Sequence, residues 1–364
     1  MTQGSNHKST TVDETRCHST MTGRQVFPEH VAALFPGQPA DNTGPVRQGC
    51  SGRQDGPHLR VLSLGAGVQS TALLILAAAP TRDGREPLVD HAIFADTGWE
   101  PASVYAHLDR LIGEVAGPAG ITVHQVSSGN IRDDALNPAR RFASMPLHVT
   151  NPDGTRGLAR RQCTNEYKLR PILRKVRELL GAPLREDGVP GRVPKGRWAE
   201  QWIGISADES HRAMSTGTRV SYARARYPLL EPRITQGLTR ADCQRILAAA
   251  GFPHTPKSAC IGCPFHGNAQ WRRMRDAAPT EFADAIAFDE AIRNGYAHAT
   301  ATGTPLRGHM YLHRSCQPLD TAPIDHVTRV EWAARQDTLP LPETNHTCSP
   351  WGCTTTPAME GEPR

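Results

Sequence analysis

The sequence predicts an α/β protein: a Rossmann-like parallel sheet with helices on both faces, followed by a C-terminal helical lobe. Three observations lead there. Apolar runs of strand length alternate with helix-length segments between residues 59 and 206. One of those runs enters a glycine turn and then a helix at residues 59–71. From about Thr239 onward the pattern is helical, broken by a cysteine-bearing loop. Alternation of this kind buries both faces of a parallel sheet under helices.

The first strand is carried by Leu59, Val61, Leu62 and Leu64. Gly65 and Gly67 allow a tight turn without a Cβ, and residues 69–79 are good helix material stopped by Pro80. Further strand signals fall at 89–95, 121–126 and 201–206, and further helices at 101–115 and 171–180. The helix from Pro101 places Val104, Leu108, Leu111 and Val115 along one stripe. Later helices are expected at 239–250, 268–277 and 279–294. In parallel sheets ligands bind beyond the carboxyl ends of the strands. Residues 63–70, Asp96-Thr97-Gly98, Ser127-Ser128-Gly129 and Ser206-Ala207-Asp208-Glu209 all sit at such ends and should line one crevice.

The chain divides into an N-terminal tail (1–57, Gly-, Thr-, Ser- and Pro-rich, read as disordered), a nucleotide-binding α/β domain (58–235), the helical lobe (236–337) and a flexible C-terminal tail (338–364). A net charge of +5 over 364 residues permits an anionic partner without requiring one. No run approaches the ~18 apolar residues of a membrane span, and the N-terminus lacks the apolar core of a signal peptide, so a cytoplasmic protein is expected, with no membrane partner. Nine cysteines in such a chain read as thiols or metal ligands rather than disulfides. Cys17 and Cys50 fall in the first tail and are read as bystanders.

A helix that opens after a glycine turn leaves amides unpaired at its positive end, which suits a phosphate. Ser63, Ser70 and Thr71 add hydroxyls. The P-loop pattern fails because no lysine stands beside Ser70. The dinucleotide fingerprint misses only its last position, with Ser70 where Gly or Ala is required. A structural glycine turn is the remaining alternative.

Cys260-x-x-Cys263 around Gly262 can aim two thiolates at one metal, and Pro264 directly after it also occurs in iron–sulfur ligand runs. Cys163 is the candidate third ligand and Cys316 the fourth, with Cys348, Cys353 and His266 in reserve. Thiolate-only ligation suits zinc and an iron–sulfur cluster equally, and a thioredoxin-like redox pair is the non-metal alternative. Around Cys163, residues 156–177 carry eight basic residues against one acid, Glu166, a positive wall for a nucleotide or nucleic acid.

Together these stretches resemble the phosphoadenosine-phosphosulfate reductase family of the PP-loop, or adenine-nucleotide alpha-hydrolase-like, superfamily, over roughly residues 59–313. Residues 63–71 take the place of Ser-Gly-Gly-x-Asp-Ser, and Asp96-Thr97-Gly98 matches the Asp-Thr-Gly strand end. Cys163 through Ile172 is similar to Cys-Cys-x-x-Arg-Lys-x-x-Pro-Leu, and residues 204–212 to Gly-x-Arg-x-x-x-Ser-x-x-Arg. Tyr227-Pro228-Leu229 leads on to the second cysteine pair. The resemblance implies ATP or a related adenine nucleotide with Mg2+, held by Ser63, Gly65, Gly67, Ser70, Thr71, Asp96, Thr97 and Gly204. Lys168, Glu209 and Arg212 would bind phosphate or sulfate groups or order the loops over them, and a [4Fe–4S] cluster, or zinc, would sit on Cys163, Cys260, Cys263 and Cys316.

Three departures select among the activities the resemblance implies. Val68 and Gln69 replace the Lys and Asp of a PP-loop; Gln162, not cysteine, precedes Cys163; and no Glu-Cys-Gly-Leu-His follows near the C-terminus to supply a reductase nucleophile. The leading expectation is an ATP-dependent iron–sulfur sulfurtransferase that adenylates and thiolates tRNA or DNA, served by a cysteine desulfurase. A thioredoxin-dependent phosphoadenylyl-sulfate or adenylyl-sulfate reductase and a non-catalytic nucleotide-binding redox sensor are the alternatives.

Overall fold

The computed structural model describes residues 56–84, 87–141, 144–215, 220–231, 237–329 and 331–332. The tails, with Cys17, Cys50, Cys348 and Cys353, lie outside the described residues except at positions 56 and 57.

The chain enters the sheet through β1 (Leu59–Ser63), turns at the two glycines and forms α1 (Val68–Ala78). Then come β2 (His91–Asp96), α2 (Ala102–Leu111) extended by a wide π-type turn, β3 (Thr122–Ser127), the short α3 (Ile131–Leu136), β4 (His148–Thr150) and β5 (Arg156–Leu158). A second π-type turn, Thr164–Leu169, runs into α4 (Arg170–Leu179), followed by β6 (Ala199–Trp202) and β7 (Ala223–Arg226). The remainder is α5 (Arg240–Ala249), α6 (Asn268–Ala277), α7 (Pro279–Ala291), α8 (Ala297–Ala301) and β8 (His309–Tyr311).

Five strands form one sheet in the order β3-β2-β1-β6-β7, every neighbouring pair parallel. Leu62 of β1 stands between Ala92 and Trp202 in the register. Successive side chains of a strand point to opposite faces, and here both faces are buried. Leu62, Ala92, Phe94 and Trp202 pack on one side with Leu73 and Leu74 of α1, Leu108 of α2 and Ile246 and Leu247 of α5. Val61, Ile93, Ala199 and Ala223 pack on the other with Ile172 and Val176 of α4. Helices therefore cover both faces of a parallel, Rossmann-like sheet.

A second core forms beside the sheet. β4 pairs antiparallel with β5 and β8, and Leu147, Val149, Met310 and Leu312 join Trp271 of α6 and Phe282 and Phe288 of α7. Cys260 and Ile261 belong to this second core, whereas α5 packs against the sheet. Residues on both sides of position 236 build it, so a segment read from sequence as the middle of the α/β domain pairs with one near the end of the lobe. Among the described residues no helix is long and apolar enough to cross a membrane.

Candidate functional site

The sheet reverses its direction of growth at β1: β2 and β3 lie to one side, β6 and β7 to the other. Connections leaving β1 and β6 diverge there and open a crevice at their carboxyl ends. The glycine turn fills that position. Ser70 holds it closed: its Oγ accepts from Gly65 N at 3.1 Å and Gly67 N at 3.3 Å and donates to Gly67 O at 3.2 Å. The left-handed residue of the turn is the buried Ala66, at φ 54°, and not either glycine. Gly67 instead permits a close approach, since a Cβ there would stand 3.3 Å from Cβ of Ser258 and Ser258 would have to shift. From the end of β6, Gly204 crosses the start of α1 so closely that a Cβ would lie 2.9 Å from Ser70 N.

Ser258 thus packs on the glycine turn, and the loop it begins reaches the end of β2. Ile261 N donates to Trp99 O at 2.8 Å, and Gly262 packs directly against the Trp99 indole. Cys260 Sγ comes to 3.3 Å from Thr97 Oγ1. One loop therefore touches the glycine turn at Ser258 and carries the cysteine pair to the neighbouring strand end.

A buried ionic cluster supports it. Glu100, with its side chain 1% exposed, pairs with Lys168 Nζ at 3.3 Å through Oε1, which also accepts from Thr97 Oγ1 at 3.0 Å and from Cys260 Sγ at 3.8 Å. Its other oxygen, Oε2, has no hydrogen-bond partner among the described residues. Burial, and then the Glu100 carboxylate, push the Cys260 thiol well above its ordinary pKa, against the opposing influence of Lys168 and the Thr97 hydrogen bond. A bare Cys260 is accordingly a thiol at neutral pH, and a bound cation is what would hold it as thiolate. Glu100 was not singled out from sequence. Its only signal was an acid directly behind a strand end, and its partner lies far away in the chain, on the π-type turn.

Cys163, Cys260 and Cys263 line one cavity of about 30 Å³ together with Thr97, Lys168 and Arg161, walled by Ile131, Met145 and Phe265. The structure thus brings three of the four candidate ligands together. Cys316 is not among the lining residues; it follows β8 in a left-handed conformation, φ 52°, with its amide donating to His313 O. Among the described residues no group of three or more His, Cys, Asp or Glu stands in an arrangement that could hold a metal ion, so the three thiols share a cavity without closing on a point. By residue type alone, three thiols beside Lys168 and Arg161 are what an anionic thiolate-held centre requires, but as placed they form no ligand set. His266 is turned away, its Nε2 2.9 Å from Cys260 O and its ring edge-on to Trp271.

The residues expected around the phosphates separate into groups. Gly65, Gly67, Ser70 and Gly204 meet at the turn. Ser63 is buried and accepts from Gln201 Nε2 at 2.9 Å, and the fully buried Thr71 is within 3.2 Å of His107 Nε2, so both hydroxyls serve packing. Asp96 Oδ1 accepts from Gly98 N and from Tyr105 OH, each at 2.8 Å, which stiffens the end of β2; Thr97 faces the cysteines. Glu209 and Arg212 form an ion pair, and Gln69 joins them: its Nε2 donates to Glu209 Oε2 at 3.2 Å while its Oε1 accepts from Arg240 Nη1 at 3.2 Å. Gln69 is therefore a buried hub that ties α1 to the loop after β6 and to α5. Lys168 belongs to the Glu100 cluster on the other side of the turn. No family model, curated protein or solved structure matches the chain.

Proposed function

We propose that the chain is an adenine-nucleotide-binding enzyme of the phosphoadenosine-phosphosulfate reductase and PP-loop type, acting as an ATP-dependent sulfurtransferase on a nucleic-acid acceptor. The observation that carries the reading is the loop from Ser258 to Cys263, which packs on Gly67 at one end and sets Cys260 against Thr97 at the other. The strand order, with its switch point between β1 and β6, supports an adenine-nucleotide alpha-hydrolase-like fold.

In this reading the first-turn amides of α1 receive the phosphates of ATP with its Mg2+, above a glycine turn whose own amides are held by Ser70 Oγ. The Gln69–Glu209–Arg212 network fixes the loop after β6 over the nucleotide, and Gly204 lets it approach. An oxygen of the acceptor attacks the α-phosphorus and pyrophosphate leaves. A sulfur nucleophile then forms a bond to the acceptor carbon and AMP leaves with the oxygen. Cys163, Cys260 and Cys263 would hold the [4Fe–4S] cluster that supplies this sulfur when bound; zinc on the same thiols would be structural. Lys168 neutralises Glu100 behind the thiols and keeps the loop seated.

The test is incubation of the anaerobically purified chain with ATP, Mg2+, sulfide and either tRNA or DNA, followed by mass spectrometry of the nucleosides. The expected result is a thiolated nucleoside, with AMP and pyrophosphate formed in equal amount. Sulfite released from adenylyl sulfate with thioredoxin would instead establish the reductase. Nucleotide binding without either product would establish a sensor.

A further inference from the structure

The π-type turn Thr164–Leu169 is a wall with two sides. Cys163, Thr164 and Lys168 face the thiol cavity. Gln162, Glu166, Tyr167 and Arg170 face a second, larger cavity of about 230 Å³, whose other side is formed by Ser128, Arg140 and Arg141. Three arginines face one lining acid, Glu166, which is committed to Arg170 one turn away, and Asp134 beneath pairs with Arg140, so Arg141 carries the excess positive charge.

Its position relative to the proposed site follows from the sheet. Ser127 ends β3, and in an all-parallel sheet the ends of β1, β2 and β3 lie along one edge. Asn130 Nδ2 donates to Gly98 O at 3.0 Å, which ties the end of β3 to the end of β2. The arginine cavity, lined by Ser128, therefore lies at the edge of the sheet that carries the glycine turn, and shares a wall with the thiols.

The arginines differ in what holds them. Arg140 pairs with the buried Asp134 at 2.7 Å and donates to Ser128 O at 2.9 Å, so its guanidinium is oriented from beneath. Tyr167 donates to the same Asp134 at 2.6 Å, fixing the floor. Arg141 is exposed and has no ion-pair partner among the described residues. One anchored guanidinium, one held by a neighbouring carboxylate and one uncommitted, around a polar hollow, is an arrangement for a phosphate, which accepts bidentate contacts from a planar guanidinium.

We propose that this cavity seats a phosphodiester of the acceptor strand and so sets which nucleotide of that strand reaches the thiol cavity behind the turn. The inference rests on the nucleic-acid reading above and names the surface that would carry it. The same chemistry would also take a phosphate of a free nucleotide, and the experiment separates the two.

Binding of the full chain to fluorescein-labelled single-stranded oligonucleotide and, in the same samples, to ATP would be measured for the native protein, Arg141→Glu, Arg170→Glu and, as a charge control on an exposed loop, Arg185→Glu. Arg141→Glu and Arg170→Glu should each weaken oligonucleotide binding about tenfold, and Arg141→Ala should reduce the slope of log affinity against log salt by about one. Arg185→Glu and the ATP affinities should stay as in the native protein. Unchanged oligonucleotide binding in both cavity variants, equal loss with Arg185→Glu, or no oligonucleotide binding by the native chain would overturn the proposal. Loss of ATP binding in step would assign the cavity to the nucleotide and overturn it too. Native ATP binding that is absent while oligonucleotide binding remains would strike the enzyme reading and leave the cavity standing.

Discussion

Gly262 lies against Trp99 so closely that a Cβ built on it would stand 2.0 Å from the indole Cη2. The indole has little freedom to yield, because Trp99 is buried and its Nε1 donates to Asp284 at 2.6 Å. Gly262→Ala should therefore lift the cysteine loop off the end of β2, at a cost of about 1–3 kcal/mol from overpacking. Urea denaturation of the variant measures this, and a stability equal to native would show that the contact is not needed.

Lys168 and Glu100 form a nearly buried pair, the two side chains 10% and 1% exposed. Removing one partner strands the other, so Lys168→Met should lose about 3–5 kcal/mol, while adding Glu100→Gln to it should recover most of the loss. Chemical denaturation of the single and double variants tests this; an additive double variant would contradict a coupled pair.

Gly204→Ala places a Cβ 2.9 Å from Ser70 N and 3.2 Å from Cβ of Gln69. The loop after β6 must then move away from the start of α1. Adenine-nucleotide affinity should fall at least about tenfold, a shift of roughly 1.4 kcal/mol, as read by calorimetry. Native affinity would separate Gly204 from the nucleotide site.

How much of this was legible in the chain depends on where the apolar signal lies. Strands β1 and β2 and the helices after them stand out because these strands are buried between two layers. β3 lies half-exposed at the sheet edge yet keeps enough apolar residues to be read, and the six-residue α3 after it gives no helix signal. The fourth strand was placed at 201–206, yet it pairs over Ala199–Trp202, because its apolar run, Trp202, Ile203 and Ile205, continues past the last ladder bond. β7 reads Ala-Arg-Ala-Arg and gave no strand signal; Arg224 covers the Trp198 ring, and Arg226 pairs with Glu200 and Glu231 at the sheet edge. The three-residue strands β4, β5 and β8 are too short to show a period of two. At the site, Cys163, Cys260 and Cys263 were chosen by residue type and spacing and do line one cavity, but Cys316 is not part of it. Glu100 gives no sequence signal, and Gln69 stands out only as a departure from the PP-loop pattern, because the roles of both come from partners distant in sequence.

His107 links stability to pH. Burial pushes its pKa from the ordinary 6.5 down to about 4, with Arg110 acting in the same direction. Between those values the unfolded chain holds a proton that the folded chain does not. Stability is therefore full above pH 6.5 and falls by on the order of 3 kcal/mol as pH drops through that window. His107→Gln, which can keep a hydrogen bond to Thr71, should flatten this slope by about one proton in denaturation curves taken from pH 7 to pH 4. An unchanged slope would place the linkage elsewhere.

The central claim is that the glycine turn and the thiols serve one cleft, and differential alkylation tests it most directly. Cys163 and Cys316 are both half-buried, so their rates in the metal-free chain, read by peptide mass spectrometry, provide a site and an internal control. Saturating ATP should slow alkylation of Cys163 at least about tenfold, the protection expected of a bound ligand, and leave Cys316 unchanged. Equal rates at Cys163 with and without ATP, under conditions where ATP is shown to bind, would contradict a shared cleft.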